Sequence, residues 1–211
     1  MTVRLPSFSK TQCPNLRKIT ESPGLVLASG SPRRKTILTE IGLRFDIQIS
    51  NIEEKHDAYL PSGELATDLA RQKAMAVSHD GERVYLGCDT IVVFDGQLLN
   101  KPTDEKDALR ILITLAGNTH SVFTGMALYD SRSNNYLSGC EESRVTFNSW
   151  DTDRLKEYIS TGEPMDKAGA YGIQGMGRFL VDTVEGNIDN VIGLPLGILE
   201  TLARKYWEMY V

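Results

Sequence analysis

From Leu25 onward the chain alternates short apolar runs with stretches whose apolar residues recur every three or four positions, the two periods of strands and helices. Leu25–Ala28 reads as a buried strand. Ser31 is placed to cap a helix with Pro32 in its first position; Ile37, Leu38 and Ile41 mark its buried side and Gly42 ends it. Phe45–Ile49 alternates as a half-buried strand, a helix follows from about Gly63 to Val77, and Val84–Phe94 is a long apolar strand. Asp95-Gly96 predicts a two-residue hairpin turn returning through Gln97–Leu99, a register that carries Thr90 opposite Lys101. Thr103 is expected to open the next helix, with Asp104, Glu105 and Asp107 near its positive end and Gly117 after it. Strands are expected at Val122–Tyr129 and Cys140–Phe147, a helix at Thr152–Ile159, then a glycine-rich stretch and a strand around Phe179–Val184. A last helix carries Leu196, Leu199, Leu202, Ala203, Tyr206 and Tyr210. Helices interleaved with strands, plus one antiparallel hairpin, make this an α/β protein with a mixed, twisted sheet and flanking helices.

The 211 residues contain 41% hydrophobic and 24% charged positions, ordinary for a globular chain. No run of 18 apolar residues exists, which excludes a membrane-spanning helix. Cys13, Cys88 and Cys140 are too scattered for a disulfide framework or a zinc cluster. Lys and Arg total 23 against 28 acids, a net charge of −5, so no general attraction to nucleic acid or an anionic membrane is expected. Residues 1–24 read as an N-terminal extension and 25–211 as a single domain. The first twenty residues hold Arg4, Lys10, Arg17 and Lys18 and no acid, a composition that suits a mitochondrial transit peptide, but Pro6 and Pro14 are expected to interrupt any amphipathic helix. A cytoplasmic protein with a short extension is the default, and a homodimer stays open.

Three places break the local rules, and such places are where chemistry concentrates. In Ser29-Gly30-Ser31-Pro32-Arg33-Arg34-Lys35 a strand gives way to a helix start loaded with cations, which repel the positive dipole end unless an anion sits over the turn. A solvated basic corner is the plainer alternative. If the cations serve a ligand, Arg33→Ala and Arg34→Ala should leave the apoprotein as stable or slightly more so. Lys73 falls in the middle of the apolar arc of its helix, where it either pairs with a carboxylate or meets a phosphate. Asp89 sits inside a buried strand, where a carboxylate must be paired, hydrogen-bonded or bound to metal. Glu53-Glu54 could join Asp89 around a hard cation or be a solvated loop. The loop from Asp166 to Gly177 holds too many glycines for an element interior and matches neither phosphate-loop nor dinucleotide spacing; it suggests a backbone close to a ligand, with Lys167 and Gln174 as polar contacts.

These segments, in order, resemble the Maf family of nucleotide pyrophosphatases. The resemblance rests on Leu27–Arg34, Ile52–Glu54, Leu69–Ala74, Cys88–Val92, Lys101-Pro102, Glu163–Gly175 and Asn190–Leu196, and spans about residues 25–205. It implies an elongated, two-lobed fold related to the inosine triphosphate pyrophosphatases, with a central cleft. It also implies hydrolysis of nucleoside triphosphates to the monophosphate and pyrophosphate with Mg²⁺ or Mn²⁺. By position, Asp89 matches the catalytic acceptor and, with Glu54, the metal ligands. Arg33, Thr90 and Gln174 match the positions that mark the branch acting on dTTP and UTP, and Ser29, Arg34, Lys73, Lys101 and Lys167 match the remaining substrate-binding positions. Cys88 stands where Ala is commoner.

The physics agrees with that implication. Charge develops on phosphate oxygens as pyrophosphate leaves, so cations and fixed N–H donors do most of the stabilising. Gln174 can accept from the uracil N3–H and donate to a neighbouring oxygen; turned over, it would pair with cytosine, so backbone groups of the Gly169–Gly177 loop are expected to fix it. The alternatives are a purine or 7-methyl-GTP pyrophosphatase of the same fold and a non-enzymatic regulatory module tied to cell division. The latter leaves Asp89 and Lys73 without a use.

Overall fold

A computed structural model describes residues 5–9, 12–52, 60–78 and 82–210. The elements, in order, are α1 (Pro14–Glu21), β1 (Leu25–Leu27), α2 (Pro32–Glu40), β2 (Asp46–Ile47), α3 (Ser62–Ala76), β3 (Val84–Phe94) and β4 (Gln97–Leu98). They continue with α4 (Glu105–Leu115), β5 (Thr119–Asp130), β6 (Asn135–Phe147), α5 (Thr152–Ile159), β7 (Val181–Glu185), α6 (Ile188–Ile192) and α7 (Leu196–Tyr210). Short 3₁₀ turns fill Glu163–Asp166, Ala168–Ala170 and Met176–Leu180. Seven strands form one mixed sheet in the order β2-β1-β3-β5-β6-β7, with β4 on β3. β1 lies parallel to both β2 and β3, whereas β3/β4 and β6/β7 are antiparallel. The α/β class with a mixed sheet and helices is as expected.

The chain divides into two compact units. One comprises residues 7–89, 124–141 and 193–211; the other comprises residues 1–6, 90–123 and 142–192. In the first, Leu25 to Leu27 and Val84 to Cys88 are buried throughout, the continuous apolar reading of parallel strands covered on both faces. Gly87 lies directly under α3: a Cβ there would meet the backbone of Ala70 and Ala74, so the helix rides on β3 at closer range than any side chain permits. Gly125 gives Ala66 the same room on β5.

Pro14 does not interrupt a helix as expected; it opens one, because the first helical position needs no N–H. Leu16 and Ile19 of α1 are fully buried, and the helix docks on α7. Cys13 supplies no side-chain cap. Glu200 of α7 does so instead, accepting from the Asn15 and Leu16 N–H groups at 2.9 and 3.2 Å and from the Asn15 amide at 2.6 Å.

Four other expectations shift. The strand at Phe45–Ile49 shrinks to Asp46–Ile47, both exposed, because β2 lies at the edge of the sheet and, among the described residues, pairs only with β1. Asp104, not Thr103, caps α4: its carboxylate accepts from Asp107 N–H at 2.7 Å, while Asp107 accepts from Thr103 N–H at 3.1 Å. The last strand starts at Val181 because Met176–Leu180 coils into a 3₁₀ turn. The hairpin forms with Phe94 opposite Gln97 and with Asp95 and Gly96 both at positive φ, but its ladder never carries Thr90 to Lys101. Beyond Leu99 the Gly169 N–H takes the carbonyls of Leu99 and Asn100, drawing the chain toward the glycine-rich loop.

In the second unit His120 is 2% exposed, between the rings of Phe147 and Tyr171, with Nε2 2.9 Å from the Tyr171 hydroxyl. Burial pushes its pKa down to about 4, so it stays neutral near pH 7. Asn190, fully buried, donates to the Val122 carbonyl and the Ser143 hydroxyl and pins α6 to β5 and β6.

Candidate functional site

In the first unit, β1 and β3 run parallel with Leu27 beside Leu86, and Ala28 N–H donates to the Leu86 carbonyl at 2.8 Å. The two chains leave the ladder at the same level, so the turn Ser29–Ser31 emerges next to Cys88-Asp89. The carboxyl ends of parallel strands are the usual place for a ligand in an open α/β sheet. Lys73 arrives from α3 and pairs with Asp89 Oδ1, their side chains 15% and 13% exposed. Of the two readings of Lys73, the structure therefore shows a carboxylate partner. Cys88 reports the same gathering of charge: burial pushes its thiol up to about 11, while Arg34 and Lys73 pull it down and Asp89 pushes it up.

Ser31 occupies the cap position of α2 without a side-chain cap bond; its N–H instead donates to Ser29 Oγ at 3.2 Å. Arg33 is half-buried beside it. Arg34 is buried, donating through Nε to the Gly193 carbonyl at 2.9 Å and through Nη1 to Ser29 Oγ at 3.0 Å. The expectation that Arg34→Ala leaves stability intact is therefore reversed. Truncation strands a buried carbonyl and empties a packed volume, so we expect a loss of about 2 kcal/mol, with Arg33→Ala nearly neutral. Equal urea midpoints for wild type and Arg34→Ala would contradict this.

The second unit holds Thr90, half-buried on β3, and Lys101, exposed beyond β4. Lys167 Nζ is held by the Glu163 carbonyl at 2.6 Å and the Asp166 carboxylate at 2.5 Å. Gln174 is exposed, and its amide has no hydrogen-bond partner among the described residues, so the loop backbone does not fix it as expected. The loop's N–H groups turn elsewhere. Met176 and Gly177 donate to the Glu163 carboxylate at 2.7 and 3.0 Å, and Gly172 donates to the Tyr158 hydroxyl at 3.3 Å. Sequence reasoning gave Glu163 and Tyr158 no role, although Glu163 opens one of the matching segments; an acid two residues after a turn carries no local signal.

Glu53 and Glu54 lie outside the described residues. A divalent cation can be judged on the donors present. Among the described residues no group of three His, Cys, Asp or Glu gathers, and Asp89 has one oxygen on Lys73 and the other left as a hard ligand. That set fits Mg²⁺ or Mn²⁺ shared with triphosphate oxygens rather than caged by protein alone. A cavity of about 540 Å³ in the first unit, lined by Pro61, Glu64, Thr67, Arg71, Tyr136 and Cys140 among others, contains none of the expected site residues. No helix among the described residues is long and apolar enough to cross a membrane.

The chain is similar to known proteins over most of its length. A family model described as Maf-like protein matches residues 24–206. A dTTP/UTP pyrophosphatase of Alkaliphilus oremlandii is 41% identical over 187 residues, covering 88% of this chain and 97% of that one. One of Acetivibrio thermocellus is 43% identical over 190 residues, covering 86% and 94%. A solved nucleoside-triphosphatase/dITP/XTP pyrophosphatase from Mycobacterium abscessus overlaps at a TM-score of 0.37 and 12% identity, over 58% of this chain and 73% of that one. The chain belongs to the Maf-like protein family.

Proposed function

We propose that this chain hydrolyses nucleoside triphosphates, dTTP and UTP above others, to the monophosphate and pyrophosphate. The observation that carries the proposal is the Lys73–Asp89 pair beside the start of α2 at the ends of two parallel strands. There an acid that can take a proton from water lies next to cations and a helix dipole suited to phosphate. Relatives named dTTP/UTP pyrophosphatase support the same reading.

Ser29, Arg33 and Arg34 hold phosphate oxygens at the head of α2, and Lys73 exchanges part of its hold on Asp89 for the substrate. Asp89 accepts a proton from the attacking water. The bond from the water oxygen to the α phosphorus forms as the bond from that phosphorus to the bridging oxygen breaks, and pyrophosphate carries the electron pair away. Cations meet the growing negative charge, with Lys101 and Lys167 as further contributors. Asp89, with Glu54 by resemblance, would hold Mg²⁺ or Mn²⁺, which when bound neutralises phosphate charge and activates water. Thr90 and Gln174 serve base recognition, together with Arg33. A cytoplasmic setting agrees with three cysteines held as free thiols.

Pyrophosphate release from a panel of nucleotides with Mg²⁺ tests this directly. UTP and dTTP should be fastest, and Gln174→Glu should be impaired on both, since a carboxylate cannot donate to the base oxygen. Faster turnover of GTP or 7-methyl-GTP than of UTP would transfer the chain to the purine reading, and no pyrophosphate from any nucleotide would leave the regulatory module.

A further inference from the structure

We propose that Glu163 is the positioning residue for base selectivity, acting with Tyr158 as a two-point clamp on the loop that presents Gln174; the proposal rests on the pyrimidine nucleotide reading above. Tyr158, 2% exposed on α5, accepts from the Gly172 N–H at 3.3 Å and donates its own proton to Glu163 Oε1 at 2.9 Å. The other end of the loop closes on the same carboxylate, through Gly177 N–H to Oε1 at 3.0 Å and Met176 N–H to Oε2 at 2.7 Å. Both ends of the segment Gly172–Gly177 therefore converge on one hydroxyl–carboxylate pair, and Gln174 is left outward at the tip.

The glycines fit this reading. A Cβ on Gly175 would lie 2.7 Å from the Glu163 carboxyl carbon, and one on Gly177 would lie 2.9 Å from Tyr158 Cζ. The loop can wrap the carboxylate only because those side chains are missing. At the entry, Tyr171 is fixed by the rings of His120 and Phe147, 5.4 and 4.7 Å away. Lys167 Nζ holds the Glu163 carbonyl, so the clamp residue is itself anchored at its backbone. A glutamine amide at 163 cannot reproduce the set, because one of its two termini is a donor facing N–H groups. The clamp touches no reacting atom. Its effect is to hold the backbone from which Gln174 reaches the base, and so to set the distance and angle at which the amide meets the base edge.

The experiment compares wild type, Glu163→Gln, Tyr158→Phe, Gln174→Ala and the double variant Glu163→Gln/Gln174→Ala on UTP and CTP. Glu163→Gln should raise the KM for UTP about tenfold, change kcat less, and shrink the preference for UTP over CTP by a similar factor. In the double variant the losses should not multiply, since both act through the same contact. Hydrogen exchange without nucleotide should show faster exchange at Met176 and Gly177 in Glu163→Gln, and at Gly172 in Tyr158→Phe. Equal loss on UTP and CTP, multiplied losses in the double variant, or unchanged exchange would each overturn the clamp. Should Glu163→Gln fail to fold, Tyr158→Phe carries the test: unchanged Gly172 exchange and UTP preference refute it. A wild-type chain inactive on UTP and dTTP would sink the proposed function, while the exchange measurement would still decide whether the clamp exists.

Discussion

Replacing Asp89 with Asn is expected to slow UTP turnover about a hundredfold or more, with a smaller change in KM. Asparagine keeps the shape but cannot take a proton from water, and its neutral amide is a poor ligand for a hard cation. It also turns the neighbour of Lys73 from a counter-ion into a dipole, so the ammonium loses a counter-ion in a setting only 15% exposed. Thermal melting beside the rate measurement separates these effects: a folded Asp89→Asn chain with near-normal turnover removes Asp89 from the chemistry. Asp68→Asn is the matching control. Asp68 sits on the same helix as Lys73 but is engaged with Arg71 and Gln72, and its loss should leave turnover unchanged.

The second large effect is structural. Gly87→Ala should destabilise the fold by about 3 kcal/mol and reduce activity with it. The added methyl would meet Ala74 N at 2.8 Å and the Ala70 carbonyl carbon at 3.0 Å, backbone atoms that cannot swing aside as a side chain would. Relief requires α3 to lift from β3. Since α3 brings Lys73 and β3 brings Asp89, that lift pulls apart the pair on which the chemistry is built. Gly197→Ala, whose Cβ would meet nothing within 4 Å, should leave the urea midpoint unchanged or slightly raised. A Gly87→Ala midpoint as high as that control would show that the helix is not seated as described.

The legible parts of the fold were those whose signal is local. β3, α5 and the Asp95-Gly96 turn lie where residue pattern places them, because burial on both faces, amphipathic spacing and positive-φ turn chemistry are properties of neighbouring residues. Lys73 and Asp89 stood out because each contradicts its own element, and the structure pairs them. What stayed hidden depends on residues far apart in sequence. Arg34 looks like a phosphate ligand in its turn, yet its Nε partner is Gly193. Glu163 reads as a loop acid until Met176 and Gly177 come back to it. Register past the hairpin failed for the same reason: Gly169 takes the Leu99 carbonyl, which a longer ladder would have turned to β3.

The docking of α1 by Glu200 has a consequence for synthesis. α1 has its N-terminal donors satisfied by a carboxylate 185 positions later. At roughly 5–20 residues per second, translation leaves on the order of 10–40 s between the emergence of Asn15 and that of its partner. An eight-residue helix is marginal in water over that interval, so its apolar side, Leu16 and Ile19, waits without the surface it will cover. The nascent protein thus closes on α1 only when α7 has left the ribosome.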